Sequence, residues 1–138
     1  IGDTSNVRYW GRAFKDSSIV TADFFIAPNS NCNAMFQDSD LALLIDTQFD
    51  SRVAPRLARN MFTNCGDLEE PPKMDFQYAE DVSAIFEGSN ICKNGNAVLD
   101  IINTEGNIDW RWAFKETPII EVPCTIAGNK HAEILKSC

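Results

Sequence analysis

The sequence predicts an α+β domain: an antiparallel β-sheet of about four or more strands, covered by helices and loops and stapled by disulfides. Three observations carry that expectation. Residues in the middle of the chain recur at helical spacing, with Leu41, Leu44, Ile45 and Gln48 in one run and the apolar Val53, Leu57 and Met61 in the next. The flanking stretches are rich in β-branched and aromatic residues that alternate along the chain. Short turn signals, Asn94-Gly95 and "TEG" at 104–106, separate the later runs as hairpin turns would. Helices set between runs of strands point to helices packed on one antiparallel sheet.

The elements follow in order. "NVRYW" at 6–10 and "IVTADFFIA" at 19–27 read as a strand pair, the second ending at Pro28. Asp38 or Ser39 can cap a helix over 40–49. Ser51 precedes a second helix over 53–62, with Pro55 near its start and Asn64-Cys65-Gly66 as its stop. "GDLEEPP" at 66–72 reads as an exposed acidic connector. Residues 73–79 and 81–87 alternate as strands, and 97–103 with 107–115 form a hairpin about "TEG". Residues 118–124, bracketed by Pro118 and Pro123, suit a sheet edge, and a short helix capped by Asn129 closes the chain. With 138 residues and no dividing linker, 1–138 reads as a single domain.

Charge and residue inventory narrow the function. A net charge of −8 disfavours a nucleic-acid binder, which must neutralise phosphates, and equally an anionic membrane surface. His131 is the only histidine, so a two-histidine acid–base pair and an H-E-x-x-H zinc site are both excluded. Glycines are scattered singly, without a phosphate-binding loop. "DSDLALLID" at 38–46 lacks the glycine and terminal glutamate of a calcium loop. The sequence therefore implies no metal and no cofactor. Paired carboxylates, drawn from Asp38, Asp40, Asp46, Asp50, Asp67, Glu69 and Glu70, are the remaining enzymatic option. Arg52, Arg56 and Arg59 form the one basic cluster, expected on a face of the second helix as a solvated stripe or a surface for an acidic partner.

Five cysteines, Cys32, Cys65, Cys92, Cys124 and Cys138, lie far apart with no C-x-x-C pair. Wide spacing suits long-range disulfides of a secreted protein better than a zinc ribbon, with the pairing open and one thiol left over. A Cys32–Cys65 bridge is one possibility. The start at Ile1 reads as a mature product after removal of a signal peptide.

"DWRWAFKE" at 109–116 has a worn copy in "YWGRAFKD" at 9–16. As a strand, the later copy would put Ile108, Trp110, Trp112 and Phe114 on a core-facing side and Arg111 on the other. The copies could be two similar strands of one sheet.

The motif Trp110, Arg111, Phe114 and Lys115, in a small acidic cysteine-bearing chain, resembles the Leptosphaeria avirulence-and-suppressing effectors of fungal plant pathogens, a family with relatives in the tomato leaf mould fungus. That resemblance implies a tryptophan–arginine motif on a strand of a four-stranded antiparallel sheet. It also implies a secreted, monomeric, non-enzymatic virulence or avirulence protein. Such a protein would reach the apoplast or the host cell, bind a host plant protein and be recognised by plant resistance proteins. "AVLDIINTEGNIDWRWAF" is also similar to the terminal hairpin of a host-selective necrosis toxin with a β-sandwich fold, against which the helical middle argues. A secreted hydrolase using two carboxylates, or a pilin- or capsid-like structural subunit, are the alternative readings.

Overall fold

The computed structural model describes residues 3–45, 52–93 and 100–119. Its strands are short: β1 (Thr21–Asp23), β2 (Leu43–Ile45), β3 (Met74–Asp75) and β4 (Ile101–Ile102). β1 pairs with β2 and β3 with β4, both in parallel, and the isolated bridges between them are parallel too. Among the described residues there is no α-helix.

The organising unit is a nine-residue repeat met five times, at 9–17, 31–39, 57–65, 81–89 and 109–117, here called rungs 1 to 5. The first positions, Tyr9, Asn31, Leu57, Asp81 and Asp109, form one continuous run of parallel bridges. Phenylalanine occupies the sixth position every time, as Phe14, Phe36, Phe62, Phe86 and Phe114. Spacings of 22, 26, 24 and 28 residues between them leave room for one circuit of chain per rung. Coils stacked this way make a parallel solenoid, in which each repeat buries its apolar side only against its neighbours.

Backbone hydrogen bonding explains why the rungs stack. Every second N–H points to the next rung: Cys32, Ala34, Phe36 and Asp38 donate to the carbonyls of Leu57, Arg59, Met61 and Thr63. The same four bonds join rung 1 to 2, rung 3 to 4 and rung 4 to 5. The alternate N–H groups turn inward on their own rung, as Met35 to the Cys32 carbonyl, Gln37 to Ala34 and Ser39 to Phe36. Side chains serve the third position. Asn31, Asp81 and Asp109 each accept from the N–H two residues on. Leu57 has no such acceptor, and Asn33 Oδ1 of the rung below receives Arg59 N–H at 2.9 Å instead. Buried backbone donors are thereby satisfied without regular secondary structure.

These consecutive turns require left-handed backbone at the fourth and eighth positions. Arg12, Ala34, Asn60, Ala84 and Trp112 have positive φ at the fourth, and Asp16, Asp38, Asn64, Gly88 and Glu116 at the eighth. Asp, Asn and Gly tolerate that region best, which accounts for four of the five residues at the eighth position, Glu116 being the exception.

The core is a set of columns. The phenylalanines stack ring on ring, with centroids 5.5, 5.8, 5.5 and 5.7 Å apart and interplanar angles of 9, 6, 6 and 19°. Second-position residues Trp10, Cys32, Ala58, Val82 and Trp110 line the same interior. Phe24 closes the rung 1 end over Trp10 and Phe14, and Phe76 meets Trp110 edge-on at 5.4 Å. On the remaining walls, Val53 bridges to Met74 and β3 to β4, which adds Val53, Met74 and Ile101 to the interior.

Several expectations are corrected here. The antiparallel sheet covered by helices is replaced by parallel coils. The helix expected over 40–49 contains strand β2, and the one over 53–62 is a bridge, a bend and the first six positions of rung 3. Helical spacing of Val53, Leu57 and Met61 misleads because only Val53 and Met61 are fully buried core, while Leu57 is partly buried at a rung's first position. Residues 83–88 form turns, and the described residues 100–103 make no hairpin with 107–115: β4 pairs with β3 and Asp109 with Asp81. The Asn94-Gly95 hairpin, residues 120–124 of the edge strand and the last helix lie outside the described residues, as do Cys124 and Cys138. Among the described residues the disulfide staple also fails, since Cys32, Cys65 and Cys92 are buried free thiols. Cys32 sits at a second position and Cys65 at a ninth, in different columns, so no Cys32–Cys65 bridge forms.

Candidate functional site

The repeat has nine columns, and the third, fourth, seventh and eighth each hold four different residues over the five rungs. The third reads Gly11, Asn33, Arg59, Ser83 and Arg111; the fourth Arg12, Ala34, Asn60, Ala84 and Trp112. Where small residues fall beside long ones, the face opens. Gly11 and Ala34 do this at rungs 1 to 3, leaving a cleft of about 450 Å³ lined by Tyr9, Gly11, Arg12, Asn31, Asn33, Ala34, Gln37, Arg59 and Asn60. Tyr9 is 73% exposed and lies over Gly11, where an added Cβ would sit 2.8 Å from the tyrosine oxygen.

The lining of this cleft is chemically one-sided. It contains two arginines and no carboxylate, in a chain with a net charge of −8. Asn31 and Asn33 each engage the side-chain carbonyl with a backbone N–H, at 3.0 and 2.9 Å, an arrangement that fixes the amide NH₂ as a donor on the opposite side. Among the described residues, the guanidinium groups of Arg12 and Arg59 meet no carboxylate, whereas Arg52, Arg56 and Arg111 each pair with one.

The arginines expected as one helical stripe are therefore dispersed. Arg52 is tied to Asp100 at 2.7 Å and to the carbonyls of Met74 and Asp100 on the β3–β4 wall. Arg56 pairs with Glu80 at 3.0 Å. Arg59 alone of the three lines the cleft.

The Trp110-Arg111 motif is rung 5. Trp110 is 1% exposed and Phe114 is buried in the phenylalanine column. Trp112, expected inside, is 50% exposed: its left-handed backbone at the fourth position breaks strand alternation and turns Ala113 inward instead. Arg111 is exposed and folds back on Asp109, with Nη2 at 2.7 Å and Nε at 3.1 and 3.2 Å. Its guanidinium lies 5.8 Å from the Trp112 ring centroid, and Lys115 Nζ lies 6.0 Å from it while reaching Glu87 at 3.8 Å.

Other candidates stay apart. Asp38 accepts from Asn64 at 2.8 Å as part of the eighth column, and Asp40, Asp67, Glu69 and Glu70 are exposed. Asp46 and Asp50 lie outside the described residues, as does His131. No group of three metal-ligating side chains occurs among the described residues, and no described helix is long and apolar enough to cross a membrane. Burial pushes the Cys32 and Cys65 thiols up from about 9 to about 11, against the lowering effect of hydrogen bonds from Ser30 and Ser39. Cys92 is raised by burial as well.

Fold and face together define a short-repeat parallel solenoid with a variable outward surface. No protein-family model, curated protein or solved structure matches the chain. Tyr9, Gly11, Arg12, Asn31, Asn33, Gln37 and Asn60 were not singled out by sequence reasoning. Aligning the five phenylalanines would have brought them into adjacent columns.

Proposed function

We propose that this protein is a non-enzymatic recognition module that binds its partner through the outward face of rungs 1 to 5. One observation carries the reading: the sixth position is the same residue in all five rungs, while the third, fourth, seventh and eighth each hold four different residues over the same five. The sixth position is always phenylalanine, yet the third runs through Gly, Asn, Arg, Ser and Arg. A stacked scaffold with a non-repeating face is how solenoids present an extended binding surface. Binding is also the role that the effector resemblance implied. The plant host is left out of the proposal, because it came only with that resemblance, whose antiparallel fold the parallel rungs replace. Secretion keeps no support from cysteine count, since three of the five thiols are core residues.

The test is a mixed glycan and peptide array probed with the full chain and three variants. Arg12→Gln with Arg59→Gln alters one end of the face, and Trp112→Ala the other. Lys73→Ala is the control on the β3 wall. We expect hits that at least one face variant loses and the control retains. An empty array, or hits indifferent to both face variants, would refute the proposal.

A further inference from the structure

We infer that the cleft at rungs 1 to 3 binds the oxyanion of an acidic sugar, a carboxylate or a sulfate ester, with Arg12 and Arg59 as its charged ligands. This rests on the recognition role proposed above and names the ligand class for one part of the face.

The argument is one of donors without acceptors. Of the described arginines outside the cleft, Arg52, Arg56 and Arg111 are held by carboxylates and Arg8 donates to the Ser5 carbonyl. Arg12 and Arg59 instead line a shared cleft that no carboxylate enters. Beside them, Asn31 and Asn33 have their oxygens engaged by backbone N–H groups and offer their amide NH₂ groups as donors. Two guanidinium groups and two amide NH₂ groups around one space suit an anion with several acceptor oxygens. A cleft of about 450 Å³ is of the size that takes small ligands. Gln37 adds a group able to donate to and accept from hydroxyls, and the exposed Tyr9 ring supplies a flat apolar surface at the rim. An anion is also the partner that a chain of this net charge would repel everywhere else, so the basic cleft would place it.

The experiment is a two-dimensional NMR titration of the ¹⁵N-labelled full chain at low ionic strength. The probes are glucuronate, glucose 6-sulfate, glucose and inorganic sulfate. Saturable shifts at the Asn31 and Asn33 side-chain amides are expected with at least one acidic sugar and not with glucose. Arg12→Gln or Arg59→Gln should weaken that binding at least tenfold, while Arg56→Gln, which removes an arginine outside the cleft, should leave it unchanged. Added salt should weaken it too. Binding by either acidic sugar above inorganic sulfate supports the inference, and the tighter of the two names the oxyanion. Shifts with neither, equal shifts with glucose, sulfate alone binding, or indifference to Arg59→Gln would overturn it. Array hits lost in Trp112→Ala but kept in the Arg12→Gln, Arg59→Gln variant would leave the recognition role standing while this inference fails.

Discussion

At the fourth position of each rung a single backbone angle decides which side chains can reach solvent. Ala34 and Ala84 hold φ of 55 and 54° although alanine gains nothing there. Left-handed backbone costs an L-residue roughly 1–2 kcal/mol, so Ala84→Gly should raise stability by about 0.5–1 kcal/mol in urea denaturation. A loss instead would mean that the buried methyl contributes more than the strain costs. The opposite change, Gly88→Ala, adds strain at φ 73° and brings a Cβ to 2.3 Å from Asn64 Oδ1, displacing the side chain that holds Asp38. It should cost about 1–2 kcal/mol by the same reasoning.

The thiols belong to this scale as well. Cys32 and Cys65 have folded values near 11, above the unfolded value near 9, so the fold binds their protons more tightly than the unfolded chain does. Their stabilising effect is complete below pH 9 and is lost as pH rises from 9 through 11. The urea midpoint should therefore fall over that window. Cys65→Ser, which installs the residue found in rungs 1, 2 and 4 at that position, should flatten the fall. At neutral pH all three described thiols should resist alkylation in the native protein. Each should react once it is unfolded without reductant; a thiol that stays blocked then would contradict the free-cysteine core.

At the scale of the rung, the phenylalanine column is the main apolar element. Phe62 and Phe86 are stacked on both sides and fully buried, so either change to alanine should cost about 3–5 kcal/mol. Phe14 ends the column and is only partly buried, so Phe14→Ala should cost at least about 1 kcal/mol less than Phe62→Ala. Trp110→Ala belongs with the larger losses, at about 3–5 kcal/mol, because its indole is interior. Trp112→Ala should be nearly neutral for stability and matter, if anywhere, in binding.

The rung was only half legible in the sequence. "YWGRAFKD" and "DWRWAFKE" stood out because rungs 1 and 5 share Trp, Ala, Phe and Lys at equivalent positions. The three between them keep phenylalanine but vary the rest as Cys32-Asn33-Ala34-Met35, Ala58-Arg59-Asn60-Met61 and Val82-Ser83-Ala84-Ile85. Unequal spacing between rungs hid the period further. Within one rung, apolar residues fall at the second, fifth and sixth positions, which can pass for a helix turn at 57–62 or alternate like a strand at 108–114. Local periodicity therefore suggested helix and strand for what are copies of one turn motif.

For the whole molecule, the fold has a spectroscopic consequence. Over the described residues, parallel coils of turns and short strands should give non-helical backbone carbon-13 chemical shifts at 40–45 and 53–62, and helical shifts there would reject the rungs. Stability should depend on neighbouring rungs, as in other solenoids, so damage to rung 3 should loosen rungs 2 and 4 before rung 5. Hydrogen exchange of Phe62→Ala would show this order.

Composition alone settled the acidic net charge and the presence of a single histidine, because those depend on residue counts and not on shape. Residue order established which phenylalanines recur and which carry Asp, Asn or Gly two residues later. Whether those copies lie side by side was decided only by tertiary structure. Each rung has unsatisfied backbone donors and an unburied apolar edge until the next rung supplies carbonyls and a stacked ring. That same stacking brings Arg12 and Arg59, far apart in the chain, to one cleft, a placement that no local pattern encodes.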